Sequence, residues 1–95
     1  MAEPACRQAG WYKFIIMFYT YVIKSINRNY IYVGLTSDVD RRFQEHNSGK
    51  NKTTKPYSPF RLLFKESYST RVESREREKY LKSGVGKEFI KSNFK

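Results

Sequence analysis

One cysteine and one histidine are all that 95 residues provide, and each scarcity excludes a class of protein. A single thiol, Cys6, rules out an internal disulfide framework, and a lone histidine, His46, rules out a Cys/His zinc cluster. This cysteine usage suits an intracellular, cytoplasmic chain. Long apolar runs are missing too. Phe14 to Ile23 is about half of the ~20 residues that a membrane span requires, and no small-x-small cleavage site follows it. Neither secretion nor a membrane partner is expected. Dinucleotide and P-loop glycine motifs and internal repeats are also absent. Acidic residues are few, nine against nineteen lysines and arginines, for a formal net charge of +10. An excess that large on one small domain predicts a polyanionic partner, foremost nucleic acid.

What is plentiful is aromatic surface, with eight Tyr and seven Phe. Large rings compensate for the modest core of a short chain, and many tyrosine hydroxyls must find partners or take part in chemistry. Residues 1–16 carry no hydrophobic periodicity and read as an unstructured N-terminal extension, with residues 17–95 as the folded domain. Met17 stands directly before the first convincing strand and is the expected natural start.

The organising stretch is Tyr30 to His46. Tyr30, Ile31, Tyr32 and Val33 suit a pleated, half-buried strand, which is expected to stop at Gly34. Ser37 is the expected cap of an amphipathic helix, with Asp38 and Asp40 in its first turn. On that helix Val39, Arg42, Phe43 and His46 share one face by their three- and four-residue spacing. Upstream, Phe18 to Lys24 alternates Tyr19, Tyr21 and Ile23 against Phe18, Thr20 and Val22, both sets largely apolar, which predicts a central strand. A polar turn, Ser25 to Asn29, then predicts an antiparallel hairpin. The helix ends at Asn47-Ser48-Gly49, where Gly49 suits a left-handed C-terminal residue.

After a polar loop from Lys50 to Pro59, Phe60 to Ser67 forms a third strand, with Leu62 and Phe64 alternating against Arg61, Leu63 and Lys65. Thr70 and Glu73 form a capping box for a helix running to about Lys82 and stopping at Gly84. Ser74, Glu78 and Leu81 lie along one stripe, which turns Glu78 inward. A last helix, Gly86 to Phe94, offers Phe89, Ile90 and Phe94 to the core. The fold class is α/β (α+β): a three-stranded antiparallel sheet flanked by helices in the order ββαβαα.

Triad catalysis has no support, because His46 has no evident Ser or Cys partner. The remaining set is mixed: Tyr21 and Tyr32 on neighbouring strands, Arg42 and His46 on one helix face, and Glu78 on another helix. Such a set suits phosphodiester cleavage, which needs an activated water, neutralised phosphate charge and a stabilised leaving alkoxide. Arginine grips phosphate in two places, a carboxylate holds Mg²⁺, and tyrosine or histidine passes the proton.

At these residues the sequence resembles the GIY-YIG nuclease superfamily, specifically its small standalone members, over Met17 to about Phe94. Tyr19-Thr20-Tyr21 corresponds to the first triplet, with Tyr19 and Thr20 in place of Gly and Ile, and Tyr32-Val33-Gly34 to the second. The run Asp40 to His46 carries the family's Arg and His, placing the arginine at Arg42 and not Arg41; Glu76 to Lys82 carries its metal-binding glutamate at Glu78. The resemblance implies one divalent ion, Mg²⁺ or Mn²⁺, on Glu78, Tyr21 or Tyr32 assisting deprotonation of water, and Arg42 stabilising the phosphate.

The region Lys50, Lys52, Lys55, Tyr57, Arg61 and Lys65 lacks acidic neighbours until Glu66 and is expected, with Arg41, to follow a phosphate backbone largely without reading sequence. The expected function is a metal-dependent DNA endonuclease of repair or recombination type, directed by structure or damage, with RNA left open as a substrate. A monomer or weak homodimer is expected, with targeting left to another protein. The rival is a nucleic-acid-binding module without catalysis.

Overall fold

Phe18–Ser25 (β1) and Ile31–Thr36 (β2) pair antiparallel, and Phe60–Tyr68 (β3) adds to the other side of β1. This is the arrangement in the computed structural model, which describes residues 17–94; the expected extension over 1–16, and with it the question of a start at Met17, lies outside the described residues. Helices α1 (Val39–Asn47), α2 (Arg71–Lys82) and α3 (Gly84–Asn93) complete the expected ββαβαα order, and a 3₁₀ turn at Lys55–Tyr57 lies in the polar loop. The sheet order β2-β1-β3 puts β1 in the centre, the reason both of its faces are apolar.

Alternation along β1 divides the core in two. Tyr21 and Ile23 pack with Val39 of α1 and Phe60, while Val22 packs on the other face with Val33, Leu81 and Ile90 under α2 and α3. Phe94 stacks on Phe64 with ring centroids 4.6 Å apart, extending the second cluster as the sequence suggested.

Four local expectations are corrected. β2 does not stop at Gly34 but runs to Thr36, because the glycine is needed for close approach and not for a turn. The cap of α1 is Asp38, not Ser37: the Thr36 hydroxyl accepts from the Asp38 amide at 3.0 Å, and the Asp38 carboxylate then accepts from the Arg41 amide at 3.1 Å. The β1–β3 register slips between Val22 and Ile23, leaving Leu63 out of the pairing. That slip breaks the expected alternation, so Leu63 and Phe64 both pack under the helices while Leu62 faces the other way. Finally, α3 starts at Gly84 and not Gly86, because Ser83 caps it by accepting from the Gly86 amide at 3.2 Å.

Two expectations hold at the helix ends. Thr70 accepts from the Glu73 amide at 3.2 Å, although the Glu73 carboxylate takes the Thr70 hydroxyl proton. Gly49 has φ 81° and closes α1 in the left-handed region.

Gly86 lets α3 fold back on α2: a Cβ there would collide with the Tyr80 carbonyl oxygen and stand 2.8 Å from its carbon. Because the obstacle is backbone, Gly86→Ala is expected to destabilise the domain by about 1–3 kcal/mol, read as a lower midpoint in thermal or urea unfolding.

Candidate active site

Tyr21 is the side chain on which the others converge. Its position in the central strand buries it fully, and its ring crosses β2 at Gly34. A Cβ on Gly34 would strike the Tyr21 hydroxyl and lie 2.8 Å from ring Cε1, so glycine alone leaves the path clear. The hydroxyl meets His46 Nε2 at 2.9 Å. His46 is itself fully buried, with Nδ1 2.8 Å from Thr54 Oγ1 in the loop beyond α1.

The hydrogen-bond chain assigns the tautomer. The Thr54 hydroxyl directs its own hydrogen to the Asn51 carbonyl at 3.4 Å, so its oxygen accepts from Nδ1–H. Nε2 is left with a lone pair, which takes the Tyr21 proton. Burial keeps this imidazole neutral, holding its pKa below the ordinary 6.5, and the Arg42 charge pushes the same way against Glu45.

Arg42, facing inward from α1, donates to Glu45 Oε1 at 2.7 Å and also engages the Tyr21 hydroxyl. Two forces therefore oppose each other at Tyr21. Burial first, then Tyr32 and, more weakly, Glu78 push its pKa up from 10.0 to about 12, while Arg42 favours the phenolate. Tyr32 completes the wall, with its ring centroid 4.8 Å from His46 and 6.3 Å from Tyr21.

Glu78 arrives from the other side of the sheet. The Thr20 hydroxyl donates to the Ser74 carbonyl at 2.7 Å, fixing α2 against β1 one turn before Glu78. The Glu78 side chain is 14% exposed, with Lys82 Nζ at 3.2 Å and Arg75 Nε at 3.7 Å. Its inward stripe with Ser74 and Leu81 is as the spacing suggested.

Tyr21, Tyr32, Arg42 and His46 are thus brought together, with Glu78 near enough to act electrostatically on Tyr21, whereas the basic residues expected to bind nucleic acid are dispersed. Arg41 turns outward to Asp38 at 3.9 Å and Glu45 at 2.7 Å. Lys50, Lys52 and Lys55 are exposed on the loop after α1. Arg61 pairs with Lys24 across the ladder, on the sheet face opposite Tyr21. Sequence reasoning missed Thr54 and Glu45. Glu45 had a signal in its three-residue spacing from Arg42; Thr54, eight residues beyond His46 in a loop, had none.

A family model described as the GIY-YIG catalytic domain matches residues 17–91. The chain belongs to the GIY-YIG family. It is 41% identical over 63 residues to the UPF0213 protein YazA of Bacillus subtilis, covering 65% of this chain and 63% of that relative. The chain therefore spans under two thirds of that relative's length. To a UPF0213 protein of Staphylococcus epidermidis it is 34% identical over 74 residues, covering 77% of this chain and 89% of the relative. The solution structure of a UPF0213 protein of Bacillus halodurans is similar, with a TM-score of 0.50 and 34% identity over 81% of this chain and 84% of that one.

In this GIY-YIG domain the altered first triplet has a physical account. Thr20 replaces an apolar residue with the hydroxyl that holds α2, and Tyr19 lies partly buried beneath the Lys65 ammonium, 5.6 Å from its ring centroid. Among the described residues no three His, Cys, Asp or Glu side chains cluster, so an ion would depend on Glu78 with water and substrate oxygens. That donor set fits an ion like Mg²⁺, which takes one or two carboxylates and keeps several waters.

The lone histidine makes a clean reporter. Its NMR titration midpoint is expected below 6.5. Because the folded pKa lies below the unfolded one, the unfolded chain takes the proton first as pH falls. His46 should therefore subtract stability below about pH 6.5, an effect absent from His46→Gln in urea unfolding at pH 7 and pH 5.

Proposed function

We propose that this chain is a metal-dependent endonuclease hydrolysing phosphodiester bonds in DNA, with little sequence specificity and a substrate chosen by structure or damage. The observation that carries this reading is the Tyr21 hydroxyl, which donates to neutral His46 and is engaged by Arg42, with Glu78 near enough to affect its ionisation.

Each group has a task in that reading. Tyr21 holds an attacking water through its free lone pair and passes the water's proton along its own hydrogen bond to His46 Nε2. Thr54 keeps His46 in the tautomer able to receive it, and Arg42 steadies the phenolate in passing and the phosphate charge. Tyr32 shields the relay from bulk water. A divalent ion on Glu78 would supply Lewis-acid neutralisation of the phosphate and the leaving oxygen. Lys50, Lys52 and Lys55 support contact with the backbone by charge alone, with Arg41 and Arg61 as outlying contributors. In this reading one site in a monomer makes a nick, target choice belongs to a separate protein, and the domain works in DNA repair or recombination in the cytoplasm. None of the helices among the described residues is long and apolar enough to cross a membrane.

A purely binding module needs surface charge, but not a buried Tyr–His–Thr chain with a fixed tautomer. That difference favours the enzyme.

Supercoiled plasmid nicking with Mg²⁺ or Mn²⁺ tests the proposal. Glu78→Ala and Arg42→Ala are expected to lose roughly 100-fold or more of the rate, with circular dichroism and DNA affinity retained. Equal nicking by wild type and both variants would refute the assignment. Tyr21→Phe should lose comparable activity, whereas loss of function in Tyr32→Phe but not Tyr21→Phe would transfer the proton relay to Tyr32.

A further inference from the structure

On the face of β2 away from His46 lies a cleft of about 210 Å³ lined by Asn29, Tyr30, Ile31, Lys87 and Lys91. Asn29 to Ile31 form the end of the β1–β2 turn and the start of β2, and the two lysines stand one turn apart on exposed α3. We infer that this cleft is a second phosphate-backbone site of the nucleic-acid substrate, clamping the strand on the far side of β2 from the reacting phosphate. The inference rests on the functional reading above and adds a contact that neither the family match nor the basic loop supplies.

Charge carries the argument. Most of the domain's arginines near the core are committed: Arg41 and Arg42 to Glu45, Arg77 to Glu66, and Arg75 with Lys82 to Glu78. Among the described residues Lys87 and Lys91 have no ion pair. Lys24 pairs directly with Ile31 in the ladder, so its side chain stands on the same sheet face. Glu88, the acidic residue of α3, lies one position after Lys87 and three before Lys91, and among the described residues it forms an ion pair with neither. Like charges four residues apart on a helix repel, and an anion held between them turns that repulsion into attraction.

Size and position select the anion. A cleft this small, lined by two lysines, suits a phosphate with part of its sugar, because sites for whole small molecules run to about 300–1,000 Å³. Ile31 and Gly34 are three residues apart on β2, about 10 Å at the rise of a strand. That matches about one to two nucleotides of backbone, since successive phosphates turn about the axis as well as rise 3.4 Å along it. A backbone with one phosphate at Tyr21, over Gly34, therefore has another within reach of the lysine pair.

The test is the salt dependence of binding to a short DNA duplex in EDTA, where no cleavage intervenes, for wild type and Lys87→Gln/Lys91→Gln. Both positions are exposed, and an unchanged thermal midpoint verifies the fold of the variant. The slope of log affinity against log salt is expected to fall by about 2, and duplex should shift the Asn29, Tyr30 and Lys87 amide resonances of wild type only. An unchanged slope in the folded variant overturns the site. Equal shifts with inorganic phosphate at the same concentration overturn the assignment to a backbone. The nicking assay keeps the two readings apart: a reduced slope without nicking retains the site and removes the nuclease, and nicking with an unchanged slope does the reverse.

Discussion

The hydrogen bond between Tyr21 and His46 is the constraint to which the rest of the site conforms. Both side chains are fully buried, so each polar atom must find a partner inside the protein. The tyrosine satisfies the Nε2 of the histidine, and Nδ1 then requires Thr54, which fixes the loop beyond α1. The ring of the tyrosine needs room, which only a glycine at position 34 gives. From one bond follow a residue without a side chain in β2, a threonine in a loop and a tautomer.

The frame of this arrangement was legible in the sequence, and its fasteners were not. Alternation along Phe18 to Lys24 showed a strand apolar on both faces, and the central place of β1 follows from that. Arg42, His46 and Glu78 could be placed because helical spacing fixes which residues share a face. Thr54 could not, since a loop has no period; only the satisfied histidine reveals its part. The slip at Leu63 was equally hidden, because Arg61-Leu62-Leu63-Phe64 offers two registers that bury apolar groups. Only packing under α2 and α3 chooses between them. The cap moved from Ser37 to Asp38 for a similar reason: both residues can cap, and the Thr36 hydroxyl decided by engaging the Asp38 amide.

The two halves of the core are joined by residues that also build the site. Val22 belongs to the cluster beneath α2 and α3, and Tyr21 to the cluster beneath α1, so one strand serves both. On the α2 side Thr20 adds a polar tie, because its hydroxyl reaches the Ser74 carbonyl one turn before Glu78. A side chain in the altered first triplet thus acts on the position of the carboxylate from the sheet face that α2 covers. The polar bond here does what an apolar contact could not: it fixes α2 along its axis as well as against the sheet.

The edge position of β2 bears on how so buried a tyrosine would meet the proposed substrate. In a central strand, a ring crossing its neighbour would end beneath another strand. Among the described residues β2 has no partner beyond it, and Tyr21 feels Arg42 of α1 and, more weakly, Glu78 of α2. The Tyr21 hydroxyl itself is directed inward to His46. Burial raises the Tyr21 pKa to about 12 and lowers that of His46, so neither group holds charge at rest. In the proposed relay charge arises only as a proton moves, with the Arg42 guanidinium beside the phenolate that would form. The same burial that stabilises the core keeps the relay neutral, which makes the stability of this domain and the chemistry proposed for it depend on the same side chains.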